Sequence, residues 1–217
     1  MFEHLFGSKE GSTLVKAAFE DISRMIHQSA KMLDLALSAL LDNVEIDADL
    51  EDMDDVVDDG ERMVRRTILE HLSINPQQDL VASLILISMV QDAERIGDFA
   101  RGLAQIVSLA DSPREGRFRN DLAAYAERIR PLFGLCEEAF REDDAALARQ
   151  VVVSHNEIKA ELIAFTSSVA ESDLSADMAI VYASSAQMLR RISAHLCNIA
   201  STVVQPFDRI RHGDEQV

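Results

Sequence analysis

Hydrophobic residues recur through this chain at the three- and four-residue spacing of α-helices, in six long segments. Leu14, Ala18, Ile22 and Met25 begin the first of these stripes. No segment alternates hydrophobic and polar residues in the way that a half-buried β-strand does. The pattern therefore predicts an all-α fold, with helices at about 13–42, 48–72, 77–109, 118–141, 144–170 and 175–209.

Prolines mark breaks between and within these segments. Pro76 ends the second segment, because proline disfavours helical backbone in the residue before it. Asp111-Ser112-Pro113 lies near the middle of the chain and is the predicted boundary between two halves. Pro131 falls inside the fourth segment, where we expect it to kink the helix or to split it.

The two halves carry related sequences in their third segments. Residues 94–107 align with 190–203, and this shared position within each half indicates an internal duplication. We therefore predict two tandem antiparallel three-helix bundles, at 13–110 and 114–211. The identities in the alignment pair Arg95 with Arg191, Ile96 with Ile192, Ala104 with Ala200 and Val107 with Val203.

The composition is strongly acidic, with 38 Asp and Glu residues against 21 Lys and Arg and a formal net charge of −17. Such a chain repels phosphate backbones, so we expect no nucleic-acid binding and an attraction to cations and basic protein surfaces. The N-terminus lacks the pattern of a signal peptide, and the longest apolar run, 80–90, is too short to cross a bilayer. We therefore expect a cytoplasmic protein with reduced thiols at Cys136 and Cys197.

Two pairs of carboxylates are spaced to share one face of a helix. Glu94 and Asp98 are four residues apart in the third segment, and Asp54 and Asp58 are four apart in the second. Two such helices side by side can turn all four carboxylates toward one cation. These four are the predicted metal ligands, with Glu61 as a further candidate, and their oxygens suit Mg²⁺, Mn²⁺, Ca²⁺ or iron.

The same carboxylates also suit a network of ion pairs. Between positions 45 and 61 the chain has ten acidic residues and no basic one, and carboxylates this dense need a counter-charge. In this alternative Arg95 pairs with Asp58 or Glu61. The arginines that could supply the counter-charge are Arg62, Arg65, Arg66 and Arg95.

The third segment also carries a family resemblance. The run Glu94-Arg95-Ile96-Gly97-Asp98, followed by Ala100, closely resembles the E-R-I-G-D-x-A signature of the PhoU family of phosphate-uptake regulators. Asp79-Leu80 matches the Asp-Leu that precedes this signature, and residues 54–61 resemble the family's D-x-x-V-D-x-x-E pattern. The duplicated six-helix layout resembles the same family over nearly the whole chain.

This resemblance implies a function as well as a fold. It implies two three-helix bundles whose E/D-xxx-D motifs bind iron, or another metal such as Mg²⁺, Mn²⁺ or Zn²⁺. It also implies a regulator of phosphate transport or signalling rather than a catalyst. The expected partners are a membrane phosphate transporter component or a sensor kinase, so that the chain meets the membrane only through them, and the expected assembly is a homodimer.

The second half departs from the family pattern. Arg190 and Ala194 stand where the signature has Glu and Asp, and His155 and Lys159 stand where the fifth helix should offer acids. Because cationic side chains repel a metal, we expect the second half to have lost its metal site. Lys159 and Arg190 either hold an anion or pair with nearby glutamates. Those glutamates are Glu157 and Glu161.

Two other functions remain open on the sequence alone. The four-carboxylate site suits a metal-dependent helical-bundle enzyme, although the Glu-x-x-His ligand pair of ferritin-like di-iron bundles is missing. The chain also suits an accessory subunit of a different transporter. In that interpretation the N-terminus forms a docking segment with Met1, Phe2, Leu5 and Phe6.

Overall fold

A computed structural model describes residues 13–205 of the chain, and the regular structure in that range is entirely helical, which confirms the predicted all-α class. No helix within it is long and apolar enough to cross a membrane. The N-terminal docking segment and the end of the sixth predicted helix lie outside the described residues. The helices are α1 (Thr13–Asp42), α2 (Leu50–Ile74), α3 (Leu80–Val107), α4 (Gly116–Glu142), α5 (Ala145–Ala170) and α6 (Ala176–Val204).

Helix α4 runs without interruption through Pro131. The alternative in which this proline splits the helix is therefore wrong. Pro131 lies on the exposed face of α4. Water can replace the hydrogen bond that its missing N–H would have made there, so the helix continues.

Each half of the chain is a three-helix bundle in which every helix contacts the other two, as the duplication predicts. The apolar stripes meet inside, where Ile22, Val57 and Ile96 in the first bundle and Leu189 in the second are fully buried. Both cysteines are buried and neither forms a disulfide, as expected. Helix α3 ends at residue 107 and α4 begins at residue 116. The domain limits of 13–110 and 114–211 stay predictions.

The bundles pack on each other through α3 and α6, and also through α1 and α4. Phe99 of α3 and His195 of α6 stack with their ring centroids 5.6 Å apart and their planes inclined by 21°. The alignment of 94–107 with 190–203 pairs these same two residues. Because Phe99 and His195 occupy equivalent positions in the two halves and contact each other, they lie at the approximate two-fold axis that relates the halves.

A second contact between α3 and α6 follows the same symmetry. Buried Asp92 accepts hydrogen bonds from Nδ1 of His195 at 2.7 Å and from Nδ2 of Asn198 at 3.0 Å. The positions matched to Asp92 and Asn198 are Met188 and Gly102. There Cε of Met188 lies 3.3 Å from the point at which Gly102 would carry a Cβ atom. The two contacts occupy equivalent positions in the two halves, but the Asp92 contact is polar and the Met188 contact is apolar.

A buried arginine fastens the connector between the bundles. The side chain of Arg114 donates from Nη2 to the carbonyl of Ala39 at 2.8 Å and from Nε to that of Leu40 at 3.2 Å. Its Nη1 also reaches the carbonyls of Ala110 and Ser112, at 3.4 and 3.5 Å. The last carbonyls of α1 have no partner within their own helix, and Arg114 supplies one.

Neighbouring residues complete this junction. Asn43 ends α1 in the left-handed conformation, with φ 56°, and its Oδ1 accepts the backbone N–H of Arg114 at 2.8 Å. Arg119 donates from Nε to the carbonyl of Leu41 and from Nη2 to the side chain of Asp42, both at 2.8 Å. The C-terminal end of α1, in the first bundle, is therefore bonded directly to the connector and to the start of α4 in the second.

Candidate carboxylate site

The predicted carboxylates lie at the contact between α2 and α3. Asp54 of α2 is buried, with only 5% of its surface exposed. Glu94 and Asp98 of α3 are half-buried, with side chains 19% and 28% exposed, and Asp58 lies at the edge with 36%. The two acidic pairs predicted from the sequence therefore share one region of the molecule.

Gly97, in the middle of the acidic signature, allows the helices to approach closely. A Cβ atom on Gly97 would lie 3.2 Å from Cγ1 of Val57, 3.3 Å from Oγ of Ser29 and 3.5 Å from Oδ1 of Asp54. An alanine there would force Val57 and Ser29 to shift slightly, while Oδ1 of Asp54 would stay at ordinary contact distance. The absence of a side chain at this position therefore lets α1 and α2 pack closely against α3, with Asp54 beside its backbone.

The environment of Glu94 disfavours its charged form. Burial is the main cause, with the nearby Asp98 next and Glu61 contributing less, and together they raise the pKa of Glu94 to about 7 against the opposing effect of Arg95. At neutral pH this carboxyl group is therefore close to half protonated. Its hydrogen bond with Asp98 favours the protonated form.

Asp54 is affected in the same direction. Burial raises the pKa of Asp54, and Asp98 and Asp58 add to that effect, while Arg101 lowers it. Asp98 of α3 is therefore close enough to Asp54 of α2 to disfavour its charged form. This end of the site is therefore short of positive charge, even with an arginine beside it.

That arginine, Arg101, was not anticipated from the sequence. Its Nη1 lies 3.0 Å from Oδ2 of Asp54, and its Nη2 lies 3.2 Å from Oδ1 of Asp98. One guanidinium group therefore bridges α2 and α3 between two predicted metal ligands. The spacing of three residues from Asp98 could have indicated the contact on α3, but the contact with Asp54 depends on how the helices pack.

Arg95 does not make the ion pairs that the sequence suggested. The ion-pair alternative pairs it with Asp58 or Glu61 on the other helix. It pairs instead on its own helix, with Nε 3.4 Å from Glu94 and Nη1 3.3 Å from Asp98. With its Nε and Nη1 engaged by these two acids of α3, the guanidinium stays on that helix.

The arginines of α2 likewise pair within their helix. Arg62 lies 3.5 Å from Asp58 and 2.6 Å from Asp59, and Arg65 lies 2.7 Å from Glu61. All these groups are partly or fully exposed, so each pair contributes little to stability. Asp58 and Glu61 are thus held by weak pairs that another cation could displace.

An open cleft of about 660 Å³ lies beside the carboxylates. Its walls come from residues 46–51, at the start of α2, and from Ala104 and Gln105 of α3. Arg101 also lines this cleft. The guanidinium group therefore stands between the cleft and the carboxylates Asp54 and Asp98.

Both bundles match one known domain family. The PhoU domain matches residues 22–107 and 123–203, which together make up most of the chain. The chain belongs to the PhoU family. Each matched range corresponds to one three-helix bundle, so the PhoU domain is present twice, in agreement with the duplication predicted from the sequence.

Solved PhoU structures share this fold. The phosphate transport system regulatory protein PhoU from Streptococcus pneumoniae has a TM-score of 0.78 and 18% identity, over 88% of this chain and 93% of that one. PhoU from Pseudomonas aeruginosa has a TM-score of 0.78 and 22% identity, over 88% and 95%. No curated protein sequence matches the chain. At these identities the likeness establishes a common fold.

The first PhoU repeat offers the right kind of atoms for a metal, but its side chains do not form a metal site as they stand. Carboxylate oxygens are suitable ligands for Mg²⁺, Mn²⁺ or iron, whereas zinc more often takes nitrogen or sulfur. Across residues 13–205 no three His, Cys, Asp or Glu side chains converge on one point. Arg101 fills the space between Asp54 and Asp98. Binding a cation between Asp54 and Asp98 would require that guanidinium to move away and the other carboxylates to turn toward the same point.

The second PhoU repeat has a different centre. Buried His155 of α5 lies with Nδ1 3.0 Å from Oγ of Ser193 on α6. Ser193 occupies the position matched to Gly97, and its hydroxyl donates to the carbonyl of Arg190 at 3.0 Å. Its proton is therefore committed, and Nδ1 of His155 is the donor in the bond between them.

The glutamates of α5 are engaged by α4. Arg128 of α4 lies 2.6 Å from Glu161 and 3.5 Å from Glu157. The sequence offered these glutamates as partners for Lys159 and Arg190. The structure places them on the side of α5 that faces α4.

Proposed function

We propose that this PhoU-family protein is a cytoplasmic regulator of phosphate uptake and of phosphate-dependent signalling. It acts by binding a component of a membrane phosphate transporter or a sensor kinase. The match of the PhoU domain to both repeats carries this proposal. Its structural neighbour from Streptococcus pneumoniae is named as a regulatory protein of a phosphate transport system, which supports the same role.

Two features of the first repeat support action through protein contacts. Exposed acids along α2 attract a basic partner surface, as the net charge of −17 does at longer range. The turn between α2 and α3 also exposes several large apolar side chains, of the kind that interfaces bury. They are Leu69, Ile74, Leu80, Val81 and Leu84.

Deletion of the gene is the direct test. We expect it to change phosphate uptake or the response to phosphate starvation, and we expect a plasmid copy to restore both. A copy with Leu69→Ser and Ile74→Ser should restore less, because it lacks apolar surface at the α2–α3 turn. Ile163→Ser, at another exposed apolar site on α5, is the control. Normal uptake and normal signalling in the deletion strain would exclude the proposed role.

The regulator is proposed to be non-catalytic. A metal-dependent enzyme is the competing function, and turnover that disappears in Glu94→Gln would favour it. The family match supports the regulator. Self-association as a homodimer stays a prediction.

We also propose that the first repeat binds one metal ion or cluster through Asp54, Asp58, Glu94 and Asp98, with Glu61 beside them. Iron, Mg²⁺, Mn²⁺ or Zn²⁺ are the candidates. The pKa of Glu94, raised by burial and then by nearby carboxylates, supports the proposal, because a bound cation would stabilise the charged form of this carboxylate. Arg101 competes for the same oxygens, so metal binding and the Arg101 bridge exclude each other.

Elemental analysis of purified variants tests this site. Metal should be lost in the double variant Asp58→Asn/Glu94→Gln and retained in Lys159→Ala, which alters the second repeat. Arg101→Gln should bind metal more tightly than the wild type, since its competitor for Asp54 and Asp98 is gone. Equal metal content in all four proteins would show that the assigned site is wrong.

A further inference from the structure

The face of α3 that packs against α6 extends beyond the end of α6. The two helices are antiparallel, since Asn198 of α6 meets Asp92 of α3 and Met188 meets Gly102. Leu84 precedes Gly102 by about five full turns, so both residues lie on one face of α3. Leu84 therefore continues the α6-facing side of α3 toward the N-terminal end of that helix.

Two apolar side chains on this part of α3 are exposed. Val81 is about one turn before Leu84 and lies beside it on the helix surface. Val81 is 46% exposed and Leu84 is 39% exposed. Helix α6 stops short of them: Thr202 donates from Oγ1 to Sδ of Met89 at 3.8 Å, and the helix ends soon afterwards at Val204. The contact surface of α3 is thus longer than the helix that packs on it.

The chain leaves α6 at this same place. In the antiparallel register, each residue further along α6 is level with one residue earlier on α3, so Gln205 comes level with Ile85. Gln205 has extended backbone, with φ −119° and ψ 145°, which the following Pro206 favours. An extended chain advances about 3.3 Å per residue, so Phe207 can reach about 7 Å beyond Gln205. The rise along α3 from Ile85 back to Val81 is about 6 Å.

The N-terminal segment is less well placed to cover this face. Helix α1 packs on another side of α3, where Oγ of Ser29 lies 3.3 Å from the ideal Cβ position of Gly97. Gly97 is about three and a half turns beyond Leu84, which places the two about 140° apart around α3. The residues before Thr13 therefore join the bundle on a different side of α3 from Val81 and Leu84.

We propose that the chain's own C-terminal segment docks on the start of α3, with Phe207 packed on Val81 and Leu84 and with Ile210 reaching on toward Leu80. A short tether gives the segment a local concentration in the millimolar range, so a weak apolar contact is enough to hold it. A partner that binds the α2–α3 turn must displace the segment, and this consequence alone rests on the proposed function. The docking is a property of the isolated chain, so it can hold or fail independently of the regulatory role.

Phe207→Trp in the full chain tests the docking, because the sequence has no tryptophan of its own. The introduced indole should emit at shorter wavelength, and acrylamide should quench it less, than the same indole in a synthetic peptide of residues 205–217. Adding Val81→Ser and Leu84→Ser should return both values to those of the peptide. Ile180→Ser, at the exposed position of α6 matched to Leu84, is the control and should change neither.

Three outcomes would overturn the proposal. The first is emission and quenching in the full chain that equal those of the peptide. The second is an indole that stays protected when Val81 and Leu84 are replaced, since the segment would then lie elsewhere. The third is protection that appears only as the protein concentration rises, because the occupant of the surface would then come from a second copy of the chain. Circular dichroism confirms that each variant is folded.

Discussion

Replacing Arg114 with methionine is expected to lower the free energy of unfolding by about 3 kcal/mol. The guanidinium is buried and donates to carbonyls at the end of α1 and in the connector between the bundles. Methionine fills a similar volume but donates nothing, so the carbonyls of Ala39 and Leu40 become buried acceptors without partners. The melting temperature should fall by about 6 to 12 °C, as measured by calorimetry.

Two matched variants show whether the hydrogen bonds are the cause. Arg117→Met removes an exposed arginine that pairs with Asp121 and lies over the ring of Phe118, so it should change stability by less than about 1 kcal/mol. Arg114→Lys retains the charge without the planar fork and should recover only part of the loss. If lysine restored full stability, charge alone would explain the role of Arg114.

Glu94→Gln is expected to stabilise the metal-free protein at pH 8 and to stabilise it less than half as much at pH 5. Burial and nearby carboxylates raise the pKa of Glu94 in the folded state to about 7, from an ordinary value of 4.5. The folded wild type therefore loses stability as pH rises from 4.5 through 7, and glutamine does not. The difference above pH 7 should be about 2 kcal/mol, allowing for partial exposure of the side chain.

Denaturant unfolding with a chelator, at pH 5 and at pH 8, measures this difference. Glu138→Gln, on the exposed surface of α4, is the control and should show no such pH dependence. Added metal should reverse the sign at pH 8, because the wild type gains a bound cation that the variant loses. If the variant had the same stability as the wild type at both pH values, neither burial nor nearby carboxylates would disfavour the charged form of Glu94.

The helices were predictable from the sequence because their causes are local. The spacing of apolar residues sets each buried stripe, and it located the starts of all six helices to within a few residues. Pro131 was the exception. Its effect depends on whether its face of α4 meets solvent, and that is decided by the packing of α4 and not by its sequence.

The carboxylates of the candidate site were predictable for the same reason. A spacing of four residues places Glu94 above Asp98 on any helix. The contacts of Arg101 and Arg114 between helices were not predictable, since each side chain reaches a residue that is distant in the sequence. Arg101 crosses from α3 to Asp54, and Arg114 reaches back to carbonyls in α1.

The two-fold axis beside Phe99 and His195 has a consequence for partner binding. A protein with two equivalent halves presents the same face twice, so a partner could attach to it in two orientations related by half a turn. Here one half presents carboxylates and the other presents Lys159 and Arg190 at the matched place. A charged partner would therefore favour one of these two orientations over the other. Because the second half lacks the acidic site, the two halves of the duplicated protein present different surfaces to a partner.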